Sequence, residues 1–284
     1  MSTMKSFLLL VVCAAAHAAL QPPLEPYHEA EGIPAMRHIQ QYEQAHRDSR
    51  IALGIQVPKG THPYLGGLMI HLLDGRMSMC GASMLSNTKA VTAAHCWWDG
   101  QHQARHFTVV YGSDRLTTGG TRLMTNQVEM HAGFNPLIYS SDIAIITHPR
   151  VEYNDYINRI LVPTGSNTFE NVWAVAVGYG RTSNNPSVEQ LMDKRQVMLQ
   201  VISNLSCRNV WAAALVNNGV LCTASAGGMS VCGGDSGGPL VTGSGTSRTL
   251  IGITSFGAEA ACGLGFPAGF TRVTFFSAWI NARI

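Results

Sequence analysis

An all-β fold is the prediction, on two observations. Short apolar runs recur along most of the chain, and turn-forming residues separate them at close intervals. The runs are 68–73, 90–94, 107–111, 142–146, 172–177, 196–201, 239–241 and 250–254. The turns between them include Asp74-Gly75, Gly119-Gly120, Asn184-Asn185-Pro186 and Gly243-Ser244-Gly245. This spacing fits a barrel or a sandwich. One helix is expected at the C-terminus, over 274–284, where Phe275, Phe276, Ala278, Trp279 and Ile280 could share an apolar face. No internal repeat is visible.

Composition supports a packed core. The chain has 284 residues, 46% hydrophobic and 13% charged, which is more apolar and less charged than a disordered chain. A net charge of +2 and the lack of a Lys/Arg-rich run exclude nucleic acid as an expected partner. Residues 1–18 read as a secretory signal: Lys5, an apolar stretch over 7–16, and the small-x-small site Ala16-His17-Ala18. No other segment has a membrane-spanning apolar length, so no membrane anchor is expected. Residues 19–50, rich in Glu and Pro, read as a propeptide rather than as a folded domain, and residues 51–284 as the main domain. Cys13 would leave with the signal. The remaining six cysteines (80, 96, 207, 222, 232 and 262) suggest three disulfides in an exported chain, with 15 pairings open. No C-x-x-C or H-E-x-x-H spacing points to a metal, and no cofactor is expected.

Three segments carry chemistry. Ser236 lies in Gly233-Gly234-Asp235-Ser236-Gly237-Gly238-Pro239-Leu240, where glycines permit a sharp turn and close approach of a substrate carbonyl. A serine hydroxyl needs a base to become a nucleophile. His95 ends an apolar run and precedes Cys96, which can anchor it. Asp142 leads straight into an apolar strand, a costly place for a carboxylate unless it has a partner such as an imidazole. Chain order discriminates among folds. An α/β-hydrolase needs its histidine after the serine, and no histidine follows His148. A subtilisin-like order needs the acid before His95, where Asp74 sits in a turn. The remaining order is His, Asp, Ser.

Together these segments resemble the chymotrypsin-like serine proteases, over about residues 51–284. Thr92 to Cys96 and Gly252 to Gly257 resemble most the secreted digestive chymotrypsin- and collagenase-like proteases of insects. The resemblance implies two packed six-stranded antiparallel β-barrels with a C-terminal helix, the site lying between the barrels. It implies that His95 is the general base, that Asp142 orients it, and that Ser236 is acylated. The amides of Gly234 and Ser236 would form the oxyanion hole. The implied disulfides are Cys80–Cys96, Cys207–Cys222 and Cys232–Cys262.

Further expectations follow from the resemblance. Cleavage after Arg50 would free the amine of Ile51 to pair with Asp235, although Ala52-Leu53 replaces the family's usual Val-Gly. The floor of the specificity pocket would be Ser230, which is neutral and cannot pair with Lys or Arg. Gly257 and Ala268 would form its walls, the extra methyl of Ala268 narrowing it. Phe, Tyr, Leu or Met before the scissile bond is therefore expected, with elastase- or collagenase-like specificity as the alternative, and a non-catalytic homologue as the alternative of another class. Ser255, Phe256 and Gly257 would offer a strand edge to substrate. Expected partners are protein and peptide substrates, an activating trypsin-like protease and protein inhibitors, and a monomer is the default. Calcium is not expected, since Asp114 is the only acid over 111–125. Asn204-Leu205-Ser206 is a glycosylation sequon. Three lysines against twelve arginines after Arg50 suit an alkaline lumen, such as a gut.

Overall fold

A computed structural model describes residues 25–45, 58, 60–181, 193–225, 229–257 and 265–284. Two antiparallel sheets dominate it, as expected for an all-β chain. The first contains β1 (Leu65–Leu72), β2 (Met77–Ser86), β3 (Lys89–Thr92), β4 (Ala104–Tyr111), β5 (Thr121–Thr125), β6 (Gln127–Met130) and β7 (Ala144–Thr147), in the order β5-β4-β1-β2-β3-β7-β6. The second is a closed barrel of β8 (Trp173–Gly178), β9 (Arg195–Ile202), β10 (Val220–Thr223), β11 (Pro239–Thr242), β12 (Thr249–Phe256) and β13 (Ala268–Arg272).

The first sheet departs from the expected six strands. Its two outer strands, β5 and β6, are consecutive in the chain and separated by Asn126 alone. A single run bent at Asn126 thus joins both edges and curls the sheet toward a barrel. The Thr125 hydroxyl donates to the Thr147 carbonyl across the bend, at 2.6 Å. The Asp74-Gly75 turn joins β1 to β2, with Gly75 at φ +88° and the Arg76 amide donating to Asp74 Oδ1 at 2.9 Å. Strand β2 was hard to read from sequence because Ser, Gly and Met interrupt its pattern. It is nonetheless buried along nearly its whole length, because β1 and β3 pair with its two edges and Cys80, Ala82 and Met84 enter the main apolar core.

Helices lie at both ends. The segment read as a propeptide rather than as a folded domain has a π-helical turn over His28–Gly32 and then helix α1 (Ile33–Ala45). Ile33, Met36 and Ile39 recur at a helical spacing on its buried face, while Arg37, His38 and Gln40 face solvent. Pro34, which has no amide to donate, falls where the π-helical turn passes into α1. The face packs on Leu65, Met79, Val110, Leu116 and Tyr179. Tertiary contact thus orders a segment whose composition alone suggested none. A short helix α2 spans Asn204–Cys207, capped by the Ser203 hydroxyl. The C-terminal helix α3 (Val273–Asn281) is where it was expected, with a different face: Val273, Phe276 and Ile280 are buried, whereas Phe275 is 58% exposed.

Candidate active site

The glycines flanking Ser236 shape its turn. Gly234 and Gly237 have φ of +97° and +78°, a region that a side chain would strain. Within the turn, the Asp235 amide donates to the Cys232 carbonyl and the Gly238 amide to the Asp235 carbonyl. Both sheets hold the turn from outside. The Gly81 amide of β2 donates to the Ser236 carbonyl at 2.6 Å, and the Gly237 amide donates to the Thr254 carbonyl of β12 at 2.8 Å. The amides of Gly234 and Ser236 donate no hydrogen bond among the described residues.

His95 lies in the 3-10 turn Ala94–Cys96 directly after β3 and is fully buried. The Cys80–Cys96 disulfide ties this turn to β2. Its neighbour Cys96 brings it to the serine turn: the Cys96 sulfur is 3.8 Å from the Ser236 carbonyl oxygen. His95 Nδ1 is 2.7 Å from Asp142 Oδ2, and its backbone amide donates to Asp142 Oδ1 at 2.9 Å. A carboxylate at Nδ1 places the ring proton there and leaves the Nε2 lone pair to act as a base. His95 Nε2 has no hydrogen-bond partner among the described residues. Asp142 is also buried, and the Ser255 hydroxyl supplies a third donor to its carboxylate at 2.6 Å. The Thr271 hydroxyl donates to the Asp142 carbonyl. Three donors satisfy the carboxylate that sequence alone flags as needing partners. The side-chain role of Ser255, expected only to present backbone to a ligand, is an addition that sequence reasoning missed.

Asp235 stands in a different environment. Its carboxyl packs against Gly178 and Gly180, either of which would collide with it if it carried a Cβ. It accepts from the Gly180 amide at 2.8 Å and the Cys232 amide at 3.0 Å. Burial pushes it up to about 6, and those two bonds offset only part of the effect. The residue is not wholly sealed, because it lines a cavity of about 160 Å³ with Ala176, Val177, Val197, Arg181, Arg195 and Ser230. Arg50 and Ile51, its expected partner, lie outside the described residues.

The expected specificity residues are only partly drawn together. Ser230 borders the cavity beside Asp235, and Ala268 is buried in the apolar cluster against which Val231 packs. Among the described residues, nothing lies within 4 Å of where a Gly257 side chain would begin. Residues 226–228 and 258–264, which separate these positions in the chain, lie outside the described residues. Phe256 lies over Gly269 and meets Trp211 edge-on at 5.6 Å. Cys207–Cys222 forms as implied, and Cys232 is disulfide-bonded, while Cys262 is outside the described residues. At the sequon, Asn204 Nδ2 donates to the carbonyls of Asn217 and Val220, and its Oδ1 accepts from Arg272.

Sequence reasoning also missed the aromatic walls of His95. The Tyr139 ring is 5.2 Å from it and the Tyr27 ring 4.5 Å. The Tyr27 phenol donates to the Met79 carbonyl at 2.6 Å, and burial raises its pKa far above the usual phenol range. The spacing Ile33-x-x-Met36-x-x-Ile39 was the available signal that this segment docks as a helix.

Two sheets meeting over a buried His–Asp pair and a glycine-bounded serine define the trypsin fold with a serine-protease site. Residues 51–280 match the profile of the trypsin family, and the chain belongs to that family. A collagenase of Hypoderma lineatum is 36% identical over 83% of this chain and 87% of its own length. A brachyurin of Leptuca pugilator is 33% identical over 81% of this chain and 96% of its own. A solved collagenase structure superposes with a TM-score of 0.74 at 36% identity, covering 82% of this chain and 99% of that one. The protein is a serine endopeptidase, and its disulfides suit an oxidising extracellular compartment.

Proposed function

We propose that the chain is a secreted zymogen of a digestive endopeptidase, activated by cleavage after Arg50, that cuts after Phe, Tyr, Leu or Met. The observation that carries the catalytic reading is the buried 2.7 Å contact between His95 and Asp142, beside the serine turn. His95 takes the proton of Ser236 as the hydroxyl attacks the scissile carbonyl, and the amides of Gly234 and Ser236 hold the developing oxyanion. His95 then returns the proton to the leaving amine, and water attacks the acyl-enzyme by the same route in reverse. Asp142 fixes the tautomer throughout.

The activation step draws support from the cavity at Asp235. Its apolar walls, Ala176, Val177 and Val197, suit an isoleucine side chain, and its carboxyl suits an ammonium group. The specificity reading rests on Ser230, a neutral residue that offers no carboxylate to a basic side chain. The collagenase named among the relatives favours collagenase-like specificity as a second reading. Cleavage of a peptide library by trypsin-treated precursor tests both, with Ser236→Ala beside it. Cleavage after Phe, Tyr, Leu or Met that the variant abolishes supports the reading. Cleavage after Arg or Lys overturns the assignment of Ser230, and no cleavage by folded, processed protein favours a non-catalytic binding protein.

A further inference from the structure

We infer that residues 25–45 are a cleft-blocking inhibitor, docked against His95 and along β2, that stays bound after the chain is cut at Arg50 and must dissociate before the enzyme works. The inference rests on the activation reading above.

The contacts fall on the reacting groups. The Tyr27 ring lies against His95 and its phenol is anchored on the Met79 carbonyl, with the Ser236 side chain close enough to influence its titration. The His28 amide donates to Asp99 at 2.8 Å, and His28 Nδ1 is 2.9 Å from the Ser78 hydroxyl. The Glu31 carboxylate pairs with Arg181 at 2.7 Å and fills the space over Gly233, while Ala35 packs on Gly234. The segment therefore lies against the glycine whose amide is expected to hold the oxyanion as well as against the general base. It follows β2 through Ser78 and Met79, the strand that grips the serine turn opposite β12. Since β12 carries the edge expected to hold the acyl part of a substrate, the segment takes the place of the leaving-group part.

The segment binds as an inhibitor and not as a substrate because its backbone is helical. Tyr27 has φ −52° and ψ −46°, and helical turns follow it to Ala45. A protease takes its substrate extended against a strand edge, so the docked segment presents no scissile bond.

Cleavage after Arg50 severs none of these contacts, since all of them come from residues before the cut. The far end is held too: Glu43 accepts from the Thr117 amide and from the hydroxyls of Thr117 and Thr118. Departure of the segment would uncover Leu65, Met79, Leu116 and Tyr179, an apolar face that favours rebinding.

The test uses full-length precursor cleaved by immobilised trypsin, without refolding, and separated from its leader by gel filtration. A fluorescein-labelled synthetic peptide of residues 25–45 is titrated against it by anisotropy, and the unlabelled peptide against hydrolysis of a small peptide substrate. Saturable binding at about micromolar concentration or below, matched by loss of turnover, is expected. The Tyr27→Ala peptide should be weaker by about tenfold or more. An active enzyme that neither binds the peptide nor slows at about 100 μM overturns the inference. Tyr27-dependent binding to a protein that hydrolyses no peptide upholds the docking and overturns the proposed function instead.

Discussion

Gly81→Ala should both destabilise the protein and misplace its nucleophile. A Cβ at this position would lie 2.7 Å from the Gly238 Cα and 2.9 Å from the Gly238 amide nitrogen, closer than carbon contacts allow. Both obstacles are backbone, so relief requires β2 and the serine turn to move apart. That separation also stretches the 2.6 Å bond from the Gly81 amide to the Ser236 carbonyl. Overpacking costs about 1–3 kcal/mol, and weakening the bond adds about 1 kcal/mol. The sum, roughly 2–4 kcal/mol, corresponds to a melting temperature about 5–15 °C lower for a domain of this size. A displacement of about 1 Å at Ser236 lowers kcat by about a hundredfold. Calorimetry on the precursor and turnover by the processed enzyme measure the two effects. If Gly81→Ala melts and turns over like the wild type, the claim that this backbone contact sets the serine turn is wrong.

Other outcomes are expected from the same geometry. Ser255→Ala removes one of three donors from buried Asp142, a bond to a charged group worth about 1.5–3 kcal/mol; kcat should fall about tenfold or more. An unchanged kcat would refute the role given to this hydroxyl. Asp235, raised to about 6 from 3.8, contributes stability that is fully present below pH 3.8 and lost as pH rises through about 6. Denaturant titrations of the precursor should therefore show wild type gaining on Asp235→Asn between pH 7 and pH 4. The gain is up to about 3 kcal/mol, less what partial exposure screens. A pH-independent difference would refute the assigned burial. Asn204 should remain unglycosylated, because attachment would disrupt bonds its Nδ2 makes to two carbonyls; intact mass of the secreted protein decides this.

Local pattern was enough to place the all-β class, the C-terminal helix and the three segments that carry chemistry. Each is written in a few adjacent residues: Asp142 before an apolar strand, His95 before a cysteine, Ser236 among glycines. Chain order alone removed the α/β-hydrolase reading. The amphipathic spacing in α1 was present as well, but Pro34 and the polar residues around it obscured a helix whose stability comes from the surface it covers.

What the tertiary structure decided were relations between distant residues. The Ser255 hydroxyl reaches Asp142 across 113 positions, and Tyr27 reaches Met79 across 52. Phe256 of β12 meets Gly269 of β13 and the ring of Trp211, 45 positions away in the chain. Asn126 turns one strand into two sheet edges only because both edges have partners to pair with. A sequence displays residue types and their local periods, which fix the backbone menu and the chemistry available. Which side chains meet depends on how two sheets pack, and that packing is set by many weak contacts between segments far apart in the chain.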